Sequence, residues 1–330
     1  MKPPLWITEQ DVVELLDLGE AIAALEAALR EGSRGVAANM PKTILQYGKS
    51  NLHAIGAKLG DLVGTKTWAH TEGGTSPLLL LWGAADGQLV AVIEAFALGN
   101  MRTGGISGLA TDWMARPDAR TMAIVGTGKQ SLSQVGAVLA VRPITRLQVF
   151  SPRPESRTAF AAKVREEFGV EVVDCASVET ACAGAEVVTL VTRAAQPFLA
   201  ASMLGRGTHL NAVGAIAPDR EEFAQDVFER ASQVAVDSVS GVQKLSREFM
   251  TRFENRGWDA VQPLSQLIAA GRRRAAIDDV SVFKAMGMGI SDLALGAELV
   301  RRAHARGVGR AIPQPKKAKP RLATRGKATV

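Results

Sequence analysis

Apolar and polar positions divide the chain into two rhythms. In the first third, Thr8-Glu-Gln-Asp11 carries a hydroxyl cap with an acid in the following turn. Asp17-Leu-Gly-Glu20 repeats that signal ahead of an alanine-rich amphipathic stretch from Ala21 to about Gly32. Residues 42–47, 52–57, 61–68 and the fully apolar 77–82 have the pattern of strands, and 88–93 pairs back across Asp86-Gly87 as a hairpin. A helix is expected from about Met101 to Ala115, ending at the boundary Arg116-Pro117-Asp118.

From Thr121 the rhythm becomes strand, helix, strand. Residues 121–125, 146–151, 170–174, 186–192, 208–213 and 233–237 have strand character, and stretches between them such as 154–168 and 220–231 have helical spacing. Six strands at that cadence predict an α/β fold with a Rossmann-type doubly wound parallel sheet, complete by Asp237. Helical spacing near 241–253 and 264–270 follows, then Val280-Ser-Val-Phe-Lys284-Ala-Met-Gly287, then an amphipathic helix from Ile290 to about Gly307. With the sheet already complete, that last helix is expected to return to the first unit. Residues 1–117 plus about 285–312 then form a smaller α+β substrate-binding and dimerisation domain, and 118–284 a dinucleotide-binding domain. Residues 313–330 form a disordered basic tail.

The turn after the first strand of the second unit gives the sheet a chemistry. Thr121-Met-Ala-Ile-Val-Gly-Thr-Gly-Lys-Gln-Ser131 runs from an apolar strand through Gly126-x-Gly128 into a helix. Glycines there let the backbone approach a pyrophosphate, and unpaired N–H groups of the helix's first turn receive its charge. A glycine pair alone is a weak signal, and Ser131 stands where a third glycine is usual. Its place after the first strand of an alternating unit is what gives it meaning. An acid about 20 residues further on would bond the ribose 2′-hydroxyl of NAD. Here the second strand ends in Phe150-Ser151-Pro152-Arg153 instead. A hydroxyl and a guanidinium suit a 2′-phosphate, which favours NADP(H) over NAD(H), against the plainer view of Arg153 as an exposed loop residue.

Composition narrows the partners. The formal charge of +6 arises almost wholly in the last sixteen residues, where Lys316, Lys317, Lys319, Arg321, Arg325 and Lys327 meet no acid; the remainder balances 33 basic against 33 acidic residues. A proline-broken basic tail without aromatic residues predicts a solvated segment and no specific nucleic-acid partner. No apolar run reaches the roughly 18 residues of a membrane span, and no apolar signal core follows Lys2, so a cytoplasmic protein is expected. The two cysteines, Cys175 and Cys182, lack metal-site spacing and are expected to be small buried residues. His53, His70, His209 and His304 form no ligand pattern, so no metal is expected.

Three cations precede the dinucleotide unit. Lys66 lies in an otherwise apolar strand, where an unpartnered ammonium is costly, so it either snorkels or faces a charged ligand. Arg102, in Asn100-Met-Arg-Thr-Gly-Gly105, sits near a helix start with glycines leaving room beside it, and a guanidinium there could fork onto a carboxylate. Lys42 follows Pro41 and could add a third charge. Together they point to an acidic substrate held against a nicotinamide.

With Gly64-Thr-Lys66, Asn100-Met-Arg102-Thr103, Gly126-Thr-Gly128-Lys-Gln130, Asn211-Ala-Val-Gly214 with Pro218, and Phe283-Lys-Ala-Met-Gly287, the chain resembles the ornithine cyclodeaminase/μ-crystallin family from about Ile7 to Gly307. The resemblance implies a homodimeric, NAD(P)(H)-dependent enzyme of small amino acids and cyclic imines. It implies that Lys66 and Arg102 are catalytic and, with Lys42, bind the substrate carboxylate, Lys66 lying close to the reacting carbon and nitrogen. The cofactor-binding set it implies is Gly126, Thr127, Gly128, Lys129, Gln130, Ser151, Arg153, Thr192, Val213, Gly214, Met286 and Gly287. Two departures stand out. The family's cyclodeaminases have an arginine where this chain has Lys42. They also have an aspartate, acting on the substrate amine, where this chain has Ile216. Isoleucine can shuttle no proton. The expectation is therefore a ketimine reductase of the Δ1-pyrroline-2-carboxylate type. The alternatives are an ornithine cyclodeaminase using NAD with Glu72 or Asp219 as its acid, or a non-catalytic NADP(H)-binding protein.

Overall fold

The structure, a computed structural model, describes residues 2–322. Strand β1 (Leu5–Ile7) and helices α1 (Glu9–Leu15) and α2 (Leu18–Glu31) open the chain, each helix set by a capping box, Thr8 with Asp11 and Asp17 with Glu20. Strands β2 (Ala37–Tyr47), β3 (Ser50–Leu59), β4 (Leu62–Thr71), β5 (Gly74–Thr75), β6 (Leu78–Gly83) and β7 (Leu89–Glu94) follow, then helix α3 (Phe96–Met114). The second unit comprises β8 (Thr121–Val125), α4 (Ser131–Leu139), β9 (Arg146–Phe150), α5 (Pro154–Phe168), β10 (Glu171–Asp174), α6 (Val178–Cys182), β11 (Val187–Leu190) and β12 (His209–Ala212). It continues through α7 (Val227–Arg230), β13 (Ala231–Val236), α8 (Val239–Leu245), α9 (Arg247–Phe253), β14 (Val261–Pro263), α10 (Leu264–Ala269) and β15 (Val280–Lys284). Helix α11 (Gly289–Arg306) and β16 (Arg310–Ala311) close the described chain.

Among the described residues the strands form two sheets. The first runs β16-β1-β7-β6-β4-β3-β2, antiparallel except for the β1–β7 pair, with β5 pairing on β4. The second runs β10-β9-β8-β11-β12-β15-β13-β14 and is parallel throughout. The order in which strands are added reverses between β8 and β11, with β9 and β10 on one side and β11 and β12 on the other, the position at which doubly wound sheets open a crevice. Helix α11 packs against β3, β4, α2 and α3, and Arg310–Ala311 pairs with β1, so the chain returns to the first sheet after the second.

Several elements differ from their sequence expectations for identifiable reasons. The parallel sheet is not complete at Asp237: Val261–Pro263 joins its edge, and fully buried Val280–Lys284 inserts between β12 and β13. Only Val227–Arg230 of the expected 220–231 helix is helical, because the backbone of Glu221 and Glu222 bonds Ala194, Phe198 and Leu199 in the segment after β11. The 241–253 helix breaks in two at Ser246. Helix α3 starts at Phe96, five residues early, since the Glu9 carboxylate accepts from the N–H groups of Phe96 and Ala97. Arg102 is thereby in the second turn rather than at the start. The expected basic tail is partly held down: Gln314 exchanges two hydrogen bonds with the backbone of Leu89, and residues 323–330 lie outside the described residues. Cys175 and Cys182 are free and buried. Among the described residues no helix is long and apolar enough to cross a membrane.

The two sheets are joined by close packing and by buried polar contacts. A Cβ on Gly104 of α3 would lie 2.6 Å from the Ser133 carbonyl oxygen, so glycine lets α3 lie directly on α4, the helix of the glycine turn. Asn211 of β12 donates to Thr111 of α3 (2.8 Å), and His209 pairs with Asn211 (3.2 Å) and Ser281 (2.9 Å). Burial drives the His209 imidazole down to about 3 from an ordinary 6.5. Below pH 6.5 the unfolded chain takes up a proton that the folded one refuses, so stability falls with pH until about 3. The slope is about 1.4 kcal/mol per pH unit. Urea unfolding between pH 7 and 4.5 should show this acid loss in the wild type and a shallower one in His209→Gln; equal slopes would contradict it.

Candidate active site

A cavity of about 890 Å³ lies at the carboxyl ends of β8, β11 and β12, roofed by α3 and the first sheet. The glycine turn forms one end. Gly126 has φ +110°, and a Cβ there would stand 2.7 Å from the Val191 carbonyl oxygen, so the crossing of β8 beside β11 demands glycine. Nothing lies within 4 Å of a Cβ on Gly128, which leaves the backbone bare to the cavity. Ser131, in the third fingerprint position, donates to the Gly126 carbonyl (2.9 Å) and locks the turn. Gln130 donates to Asn100 of α3 (2.8 Å), tying the turn to the helix that carries Arg102. Thr127 and Lys129 line the same end.

The other expected cofactor residues converge here. Ser151 and Arg153 line the side beyond β9, and among the described residues the exposed Arg153 guanidinium makes no ion pair. Thr192, Val213, Gly214, Met286 and Gly287 line the opposite end, with Lys42 and Arg102 above them. Lys66 differs. It is 3% exposed and lies behind the wall, with its Nζ 2.5 Å from Asp292 Oδ1 of α11. The same oxygen lies 3.3 Å from Arg102 Nε. Burial, with Arg102 and Lys42 nearby, lowers the Lys66 ammonium to about 8 against the opposing pull of Asp292. Lys42 is lowered too, by burial and by Arg102.

Three acids escaped the sequence. Asp292 occupies the first turn of α11, where an acid looks like an ordinary helix-dipole residue; the need of Lys66 for a partner was the only signal of it. Asp237 lines the cavity and accepts from the N–H groups of Met286 (2.8 Å) and Gly287 (2.7 Å), its carboxyl pushed up by burial. Fully buried Glu222 accepts from Thr192, Gly214 and Ala215 N–H groups at 2.6, 2.9 and 3.1 Å and so clamps the ends of β11 and β12 together. Arg193 is a further cavity cation. Ile216 faces the cavity, whereas Glu72 pairs with Lys49 and Asp219 with Arg220 at exposed positions outside it. Neither acid stands in for the one missing at Ile216.

A doubly wound sheet with a glycine turn at its switch point, opening on a cation-rich chamber, defines a dinucleotide-binding α/β protein. The chain belongs to the ornithine cyclodeaminase/mu-crystallin family, whose model matches residues 4–306. It is 28% identical over 326 residues to a Delta(1)-pyrroline-2-carboxylate reductase of Bacillus cereus, covering 93% of this chain and 99% of that one. Two solved structures share its fold. One is Thermococcus litoralis Delta(1)-pyrroline-2-carboxylate reductase in complex with NADH and L-proline, at TM-score 0.86 and 24% identity, covering 93% of this chain and 100% of that one. The other is an archaeal alanine dehydrogenase dimer with bound NAD, at TM-score 0.85 and 24% identity, covering 95% and 99%.

Proposed function

We propose that this protein is an NADP(H)-dependent reductase of small ketimine carboxylates, of the Δ1-pyrroline-2-carboxylate type, forming a cyclic amino acid. One observation carries most weight. Among the described residues the cavity wall has a single acid, Asp237, and each of its oxygens accepts a backbone N–H that ties it to Met286 and Gly287. The wall thus offers no acid without backbone partners for a substrate ammonium, whereas two cations, Lys42 and Arg102, line it for a substrate carboxylate. Trp68, Ile55 and Ile106 supply an apolar wall for a ring. The reductase named among the relatives points the same way.

Gly126–Gln130 and the start of α4 would hold the pyrophosphate, Ser151 and Arg153 the 2′-phosphate, and Thr192, Val213, Gly214, Met286 and Gly287 the nicotinamide end. The cofactor, when bound, supplies the hydride. Arg102 and Lys42 neutralise the carboxylate, and Lys66 adds charge from behind them with the two donors that Asp292 leaves unused. The chain's part is positioning and electrostatics. Residues 1–117 with about 285–312 serve as the substrate-binding and dimerisation unit, and 118–284 as the cofactor unit. Exposed Leu45, Tyr47 and Leu52, which share one face of β2 and β3, supply the face of a homodimer.

The deciding experiment follows NADPH and NADH oxidation with Δ1-pyrroline-2-carboxylate and its six-membered homologue, beside ammonia release from ornithine. NADPH oxidation without ammonia is expected; ammonia release would overturn the assignment in favour of a cyclodeaminase. Arg153→Ala should raise the KM for NADPH about 10- to 100-fold, the worth of one charge-assisted contact, and leave that for NADH unchanged. Equal effects on both cofactors would remove Arg153 from the 2′-phosphate.

A further inference from the structure

We infer that Asp292 is the positioning residue of the substrate site: its carboxylate holds the Lys66 ammonium charged and fixed beside Arg102, so that carboxylate binding depends on an acid behind the cavity wall. The inference rests on the proposed carboxylate-binding role of the cavity.

The geometry supports a working pair over a merely structural one. Lys66 and Asp292 side chains are 4% and 1% exposed, and Lys66 stands directly across from fully buried Leu79 of the next strand. Apolar residues of similar volume commonly serve stability as well as such a pair or better, so the fold alone gives little reason to keep it. Asp292 is also incompletely satisfied: its Oδ2 is buried without a hydrogen-bond partner, while Oδ1 faces both Lys66 and Arg102. A single carboxylate oxygen thus lies between the two cations, hydrogen-bonded to Lys66 and 3.3 Å from Arg102 Nε.

The charges around Lys66 set the sign of the pH response. Asp292 approaches from α11, Arg102 from α3 and Lys42 from β2; His53 of β3 lies near Lys42 and stacks on Trp68, 4.7 Å between ring centroids. The neighbouring strand Leu78–Gly83 carries no titratable side chain. Of the charged groups only Asp292 favours the ammonium, helped by the Trp68 ring 5.4 Å from Nζ; burial, Arg102 and Lys42 oppose it. With Asp292 neutralised, Lys66 must lose its proton below the present value of about 8.

The test is the pH dependence of binding of pyrrole-2-carboxylate, a planar carboxylate that accepts no hydride, to the NADPH-loaded protein, read beside kcat/KM for the imine. Wild type should lose affinity above pH 8. In Asp292→Asn the loss should begin at least about one unit lower, leaving binding within about threefold of wild type at pH 6 and at least about fivefold weaker at pH 8. Lys66→Arg keeps Asp292 paired and does not titrate in this range, so it should abolish the loss near pH 8 even if Asp292→Asn fails to fold. A uniform loss at every pH in Asp292→Asn, or an unchanged alkaline loss in Lys66→Arg, would overturn the inference. If pyrrole-2-carboxylate binds with these pH responses but no imine is reduced, the reductase assignment fails while the role of Asp292 stands.

Discussion

Arg102→Met should lower kcat/KM for a cyclic ketimine carboxylate about 100- to 1000-fold while leaving NADPH affinity within about threefold. Arg102 is the guanidinium at the cavity wall nearest the Lys66–Asp292 pair. A charge-assisted hydrogen bond is worth about 1.5–3 kcal/mol, and a bidentate grip makes two. At about 1.4 kcal/mol per tenfold change, the lower part of that range applies because Lys42 and Lys66 remain. Most of the loss should fall on KM, since a carboxylate is gripped alike before and during hydride transfer. Arg102→Lys should recover only part, because an ammonium cannot fork. The variant carries an internal check of sign. Arg102 is one of the influences that lower Lys66. Its removal should move any alkaline loss of the residual activity to higher pH, opposite to the shift expected for Asp292→Asn. A less than tenfold fall in kcat/KM would place the carboxylate elsewhere.

What the sequence made legible was local. The strand, glycine turn and helix around Gly126 are contiguous, and both capping boxes lie within four residues, so short-range chemistry fixes them. Long-range pairing was not legible. Val280–Lys284 has an apolar strand pattern, but its place between β12 and β13 depends on partners tens of residues away. The start of α3 depends on Glu9, 87 residues earlier. The cationic residues of the site stood out because Lys66 interrupts an apolar strand. Their acid did not, because Asp292 is 226 residues from Lys66 and sits where helix starts ordinarily carry acids. Glu222 and Asp237 were hidden for a related reason. They bond backbone N–H groups, and no side-chain pattern in the sequence marks such a contact.

Lys284→Met should destabilise the protein by about 3–5 kcal/mol, the cost of leaving a buried charge without its partner. Lys284 and Glu248 side chains are both fully buried, with Nζ 3.4 Å from Oε1. Glu248 also accepts from Ser246 (2.8 Å) and from the Glu222 backbone (3.1 Å), and Lys284 offsets part of the burial cost of the Glu222 carboxylate. Without the ammonium, two carboxylates remain in an apolar region. Glu222, already pushed up by burial, should rise further. A carboxylate raised in the folded state favours folding as pH falls, so the deficit relative to wild type should narrow from pH 8 to pH 5.5. Adding Glu248→Gln should recover part of the stability, a coupling that independent sites would not show. Because Glu222 clamps the Thr192 and Gly214 ends of the cavity, NADPH affinity should fall along with stability. Chemical unfolding at the two pH values, with cofactor titration of the folded variant, checks both effects. If stability fell with no pH dependence and cofactor affinity stayed intact, Lys284 would be acting through its packing alone, and the clamp under the nicotinamide end would be independent of its charge.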